Sequence, residues 1–67
     1  MSYHVQASCG YLATVEDYGH ARVFAATLSN GLISDDVDIP AGIVIVQDMQ
    51  PPYGVSCIFD SGIEQQW

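Results

Sequence analysis

The residues with the most chemical potential in this chain are its carboxylates. There are eight, Glu16, Asp17, Asp35, Asp36, Asp38, Asp48, Asp60 and Glu64, against one cation, Arg22, which sets a net charge of −7. The densest group is Asp35, Asp36 and Asp38. On an extended chain Asp36 and Asp38 point the same way, about 6.6 Å apart. Nothing cationic lies near them in sequence. Three chemistries compete for such a cluster. Calcium binding is one, but Asp-Asp-x-Asp lacks the glycine and the distal glutamate of an EF-hand loop. A solvated edge that keeps a sheet from pairing with its neighbours is the second. The third is a surface that imitates nucleic-acid phosphates. The scarcity of Lys and Arg favours that third reading, because solubility alone is normally met by mixed charges.

The other reactive side chains form no recognisable constellation. His4 and His20 stand in no catalytic order with a cysteine, serine or acid. Glu16 and His20, one helical turn apart, read as a surface pair. Ser8-Cys9-Gly10 is not a nucleophile elbow, and no glycine-rich phosphate loop is present. Cys9 and Cys57 are far apart with no C-x-x-C, so they make no zinc site by themselves. Two buried, reduced thiols are expected, with a disulfide as the alternative. The expectation is a protein that is not an enzyme and carries no metal or cofactor.

Charge also bounds the partners. Direct binding to DNA or RNA needs cationic neutralisation of phosphates, and anionic membranes ask for the same. Both are excluded, and a basic protein surface is favoured. The N-terminus, Met1-Ser2-Tyr3-His4, has no basic region followed by an apolar stretch, so a cytoplasmic protein is expected. With 67 residues, 49% of them hydrophobic, the chain is read as one globular domain, a monomer or weak dimer.

The elements that must position these residues follow from periodicity. Ile43-Val44-Ile45-Val46 is an unbroken β-branched run, taken as a central strand covered on both faces or nearly so. Tyr3–Cys9 alternates, with Tyr3, Val5, Ala7 and Cys9 on one face, and reads as a first strand. Tyr11-Leu12-Ala13 reads as a connector. Thr14 to Ser29 reads as an amphipathic helix, capped by Thr14 and closed at Asn30-Gly31, with Tyr18, Ala21, Phe24, Ala25 and Leu28 on its apolar face. Gly19 weakens that reading; the rival is a hairpin of Tyr11–Glu16 and Ala21–Leu28. Val37 and Ile39 point inward beside the acids. Pro51-Pro52-Tyr53 lies in a loop that packs Tyr53 on the core edge. Val55–Phe59 is a third strand, and Ile63–Trp67 a tail whose tryptophan covers the core or anchors a partner. The expected fold is α+β, one helix on an antiparallel sheet of three or four strands. Its expected core is Ile43, Ile45, Val55, Ile58, Phe24 and Leu28.

In length, acidity and poverty in Lys and Arg, the whole chain resembles the small acidic inhibitors carried by bacteriophages, above all anti-CRISPR proteins acting as DNA mimics. The resemblance implies a host-cell target, the nucleic-acid-binding subunit of a CRISPR effector, and carries over no catalytic residue. The expected function is inhibition by charge mimicry, with Glu16, Asp17, Asp35, Asp36, Asp38 and Asp48 contacting the partner from one acidic face. The alternatives are a phage capsid decoration or assembly protein and a toxin-neutralising partner.

Overall fold

A computed structural model describes residues 2–65; the expected role of Trp67 lies outside the described residues. The elements are β1 (Tyr3–Ala7), β2 (Leu12–Val15), α1 (Tyr18–Ser29), β3 (Leu32–Ile33), β4 (Asp38–Ile39), β5 (Ile43–Asp48), β6 (Val55–Asp60) and β7 (Ile63–Gln65). Five strands form one antiparallel sheet in the order β2-β1-β5-β6-β7, and β3 and β4 form a separate hairpin. The fold is α+β as expected, with a larger main sheet than the three or four strands anticipated.

The two extra strands come from segments read otherwise. Leu12–Val15, taken as a connector and a helix start, pairs with β1, so that Thr14 lies opposite His4. The half-exposed Leu12 and partly buried Val15 suit a pleated edge better than a helix end. Ile63–Gln65, taken as a tail, turns back on β6. That turn needs Gly62, which sits at φ +86°, and a Cβ there would collide with the Asn30 side chain.

The helix starts later than the sequence indicates. Asp17 holds an extended conformation, φ −106° and ψ 133°, and its carboxylate accepts from the His20 amide at 3.0 Å. Asp17, not Thr14, is therefore the cap. The shift moves Gly19 into the first turn, away from the helix interior where its cost is greatest. The other end falls where expected. Gly31, at φ +95°, donates to the Leu28 carbonyl and stops the helix. Ala21, Ala25 and Leu28 are buried and Phe24 packs against the core, as the apolar face predicts, whereas Tyr18, in the first turn, is exposed. Two alanines there let the helix lie close to the strands.

β5 is central, between β1 and β6, but the described residues cover only one of its faces. Val44 and Val46 are buried under the helix beside Val5, Ala7, Cys57 and Phe59. Ile43 is half exposed on the opposite face, and Ile45 and Ile58 lie beside it. Val55 is also exposed, because the register shift between Val46 and Gln47 sets it opposite Gln47. Of the expected core, Leu28 and Phe24 are placed correctly, whereas Ile43, Ile45, Val55 and Ile58 belong to the open face. The reason is parity: side chains alternate along a strand, and an unbroken β-branched run does not say which half points inward. Pairing settles it, since Val5 faces Val46 and Ala7 faces Val44.

Two further expectations change for local reasons. β1 ends at Ala7, so Cys9 lies in the following turn and is exposed, while Cys57 is buried; both are free thiols. Tyr53 is exposed rather than packed on the core edge, its backbone held between the Gln50 carbonyl and the Gln47 side-chain amide. Val37 and Ile39 do point inward, Ile39 fully.

Ser29 joins three segments at the end of the helix. Its hydroxyl donates to the Ala26 carbonyl at 3.0 Å and accepts from the Gly62 amide at 2.8 Å, and its carbonyl accepts from the Gly42 amide at 3.0 Å. Ser29→Ala leaves the Gly62 amide without that acceptor and should cost about 1–3 kcal/mol in urea unfolding. Leu28→Ala, at a fully buried site, should cost about 2–5 kcal/mol. Ile43→Ala, on the open face, should stay well below that range. Equal losses at Leu28 and Ile43 would contradict the one-sided packing.

Candidate functional site: a divided acidic surface and an uncovered sheet face

The chain path sorts the expected partner-binding acids into two groups. Asp48 pairs with Tyr3, Tyr3 pairs with Val15, and Glu16 and Asp17 follow at that same end of the sheet. Asp35, Asp36 and Asp38 belong to the β3–β4 hairpin, which is rooted at the opposite end. There the helix closes, and the Gly42 and Gly62 amides bind Ser29. The six acids therefore fall into two groups, rooted at opposite ends of the sheet. The helix between Asp17 and the hairpin runs the length of the sheet, which imposes this separation.

The two groups also differ in what they hold. Asp17 caps the helix. Asp48 accepts from the Gln50 amide at 2.9 Å and organises the β5–β6 loop. Glu16 accepts from the Ser2 hydroxyl at 3.1 Å. These three acids have local structural work, which is sufficient reason for their presence. Asp35 and Asp36 occupy the hairpin turn, closed by the Ser34 amide on the Val37 carbonyl and by the Val37 amide on the Ser34 hydroxyl. All three hairpin carboxylates are exposed, and among the described residues no ion pair or hydrogen bond engages them. Ile33, opposite Asp38, is 82% exposed. The hairpin thus presents three solvated carboxylates beside a bare isoleucine.

Arg22 does nothing to balance them. It forms a charge-assisted bond with Glu64 of β7, and its guanidinium lies 6.0 Å from the centre of the Tyr18 ring. Glu64 faces the helix side of the sheet because it pairs with the inward Phe59. Tyr18 in turn lies against Tyr3, the rings tilted by 46° with centres 5.2 Å apart. The sole Lys or Arg of the sequence is therefore paired at the exposed margin between the edge strand β7 and the helix. Sequence reasoning missed this pair because its members are 42 positions apart and only the β6–β7 turn brings them together.

Cys57 lies in the same region under the helix. Burial pushes its thiol up, and the neighbouring Tyr18 hydroxyl pulls the other way. Burial, then the nearby Cys57, also raises the Tyr18 phenol. Among the described residues no group of three or more His, Cys, Asp or Glu side chains could hold a metal ion. No described helix is long and apolar enough to cross a membrane. The described residues include two shallow concavities. One is lined by Gln6, Ala7, Ser8, Gly10, Ile43 and Ile45 around the end of β1, the other by Gly19, Arg22, Val23, Ala26 and Phe59 beside the helix.

Comparison with protein-family models, with curated proteins and with solved structures finds no match to this chain.

The thiols give a direct check of this arrangement. Ellman's reagent should modify Cys9 rapidly in the native protein and Cys57 only at the rate of unfolding. With the Cys57 thiol raised in the folded state, its contribution to stability is complete below the ordinary thiol range, near pH 8.5. It is then lost as pH rises through the folded value. Urea midpoints followed upward from pH 8 should therefore fall, and Cys57→Ala should flatten the part of that fall which Tyr18 does not supply. A second rapidly modified thiol would place Cys57 outside the core.

Proposed function

We propose that this protein is a non-enzymatic inhibitor that occupies a basic, nucleic-acid-binding surface of another protein, in the manner of an anti-CRISPR DNA mimic acting in a bacterial cytoplasm. The observation that carries the reading is the commitment of Arg22 to Glu64. With that pair removed, the six carboxylates of Glu16, Asp17, Asp35, Asp36, Asp38 and Asp48, together with Asp60, have no Lys or Arg in the sequence to balance them. Such a field attracts a Lys- and Arg-lined channel over long range and repels nucleic acid. The β3–β4 hairpin is the preferred contact, because its three carboxylates are solvated and make no structural bonds to be broken on binding. Glu16, Asp17 and Asp48 add to the field from the far end while serving local structure. A second reading, a capsid decoration or assembly subunit, draws on a different observation, the exposed isoleucines of the open sheet face.

The test is release of target DNA from a purified CRISPR effector complex, followed by mobility shift. The parent protein should compete with DNA, less well as salt rises, since the Debye length falls from about 10 Å at 0.1 M to about 3 Å at 1 M. Asp35→Asn, Asp36→Asn and Asp38→Asn combined should leave the unfolding midpoint intact or slightly higher. The same variant should weaken competition by on the order of tenfold, chiefly through the association rate. Equal competition by the folded triple variant at low salt would reduce the hairpin acids to a solubility feature.

A further inference from the structure

We infer that the face of the five-stranded sheet left open by the described residues is a docking surface for a basic amphipathic segment of a partner protein, with Asp60 as the anchor for a lysine or arginine. The inference rests on the reading above for the sign of the partner's charge, and adds the apolar contact that charge alone does not give.

Register places three rows of side chains across this face. The first is Leu12, Gln6, Ile45, Ile58 and Gln65, one from each strand. The second, at the hairpin end, is Ile43, Asp60 and Ile63. The third is Thr14, His4, Gln47 and Val55. Leu12 is 54% exposed, Ile43 49%, Val55 42% and Ile63 67%. A single exposed apolar side chain on a surface is ordinary, whereas several gathered on one sheet face around the Ile45–Ile58 pair mark a contact site.

The second row is the informative one. Asp60 pairs with Ile43 on one side and Ile63 on the other. It is exposed, and its hydrogen bond is to the hydroxyl of its own neighbour Ser61 at 3.3 Å. A carboxylate between two isoleucines suits a side chain that is apolar along its stem and cationic at its tip. The stem lies on the isoleucines and the head meets the carboxylate. No residue of this chain fills the role, since Arg22 is held by Glu64 on the other side of the sheet.

Charge also selects the occupant. A second copy would bring another net −7 and another Asp60 against the same face, and like-charge juxtaposition opposes that pairing. A partner whose apolar side chains are flanked by Lys or Arg turns the repulsion into attraction. The resulting interface has an apolar centre and a charged margin, the usual anatomy of a specific contact.

The experiment is an amide NMR titration of the labelled protein with three synthetic probes. These are a helical Leu/Lys peptide with one apolar and one basic face, the same peptide with Gln for Lys, and polylysine of matched charge. The Leu/Lys peptide should shift Ile43, Ile45, Ile58, Asp60 and Ile63. Asp60→Asn and the double change Ile43→Ser with Ile63→Ser should each weaken it by about tenfold. Both variants alter exposed residues, and native-like spectra will verify their folding. Polylysine should bind more weakly and perturb mainly Asp35, Asp36 and Asp38. Unchanged affinity in the Ile43/Ile63 variant, or shifts that avoid the open face while polylysine still binds, would overturn this inference and leave the charge reading standing. Equal open-face binding by the Gln peptide would overturn the basic partner and with it the charge reading. Sedimentation showing self-association that the same double change abolishes would replace the partner by a second copy. No binding by any probe would overturn both readings.

Discussion

The register between β1 and β5 is the constraint on which the rest of this structure depends. Val5 against Val46 and Ala7 against Val44 decide that the valines of β5 face the helix and its isoleucines face away. Side chains alternate with a period of two, so a slip of one residue would exchange the two sets completely. With this register Val5, Val44, Val46, Cys57 and Phe59 meet Ala21, Ala25 and Leu28 in one core. The same register leaves Ile43, Ile45 and Ile58 on the side with no helix. A chain of this length buries only about 60% of its unfolded surface, and its one helix covers one face.

Several parts of this arrangement were legible in the residues. The β-branched run marked the central strand, the spacing of Ala21, Ala25 and Leu28 marked the buried helix face, and Gly31 marked the helix end. The parity of β5 was not legible in β5 itself, since every residue from Ile43 to Val46 suits either face. It was latent in β1, whose alternation of Val5 and Ala7 with His4 and Gln6 is unambiguous once the strands are paired. The helix start was misplaced because Thr14 and Asp17 both make acceptable caps, and the choice fell to the pairing of Leu12–Val15 with β1. The hairpin cluster was visible as charge. Its separation from Glu16, Asp17 and Asp48 was not, because it depends on the direction in which the helix runs.

Charge and apolar surface are distributed so as to act at different ranges. The hairpin carboxylates are free of structural bonds and project a field beyond contact distance. The open sheet face mixes apolar side chains with neutral polar ones and Asp60, and its apolar part acts only when something touches it. Between them, the Arg22–Glu64 pair holds the one Lys or Arg of the sequence at β7, away from the hairpin acids, on the strand that supplies Ile63 to the open face. Stability and the proposed recognition therefore share elements: the strand held by that pair also borders the row containing Asp60.

Solvent accessibility of individual methyl groups tests the one-sided sheet most directly. With Ile and Val methyls labelled, a soluble paramagnetic agent should strongly broaden the signals of Ile43 and Ile63, broaden Ile45 and Ile58 less, and leave Val5, Val44 and Val46 sharp. Broadened Val44 and Val46 beside sharp Ile43 and Ile45 would mean that the strand lies in the opposite register. Protection of both sets would mean that the face described as open is covered.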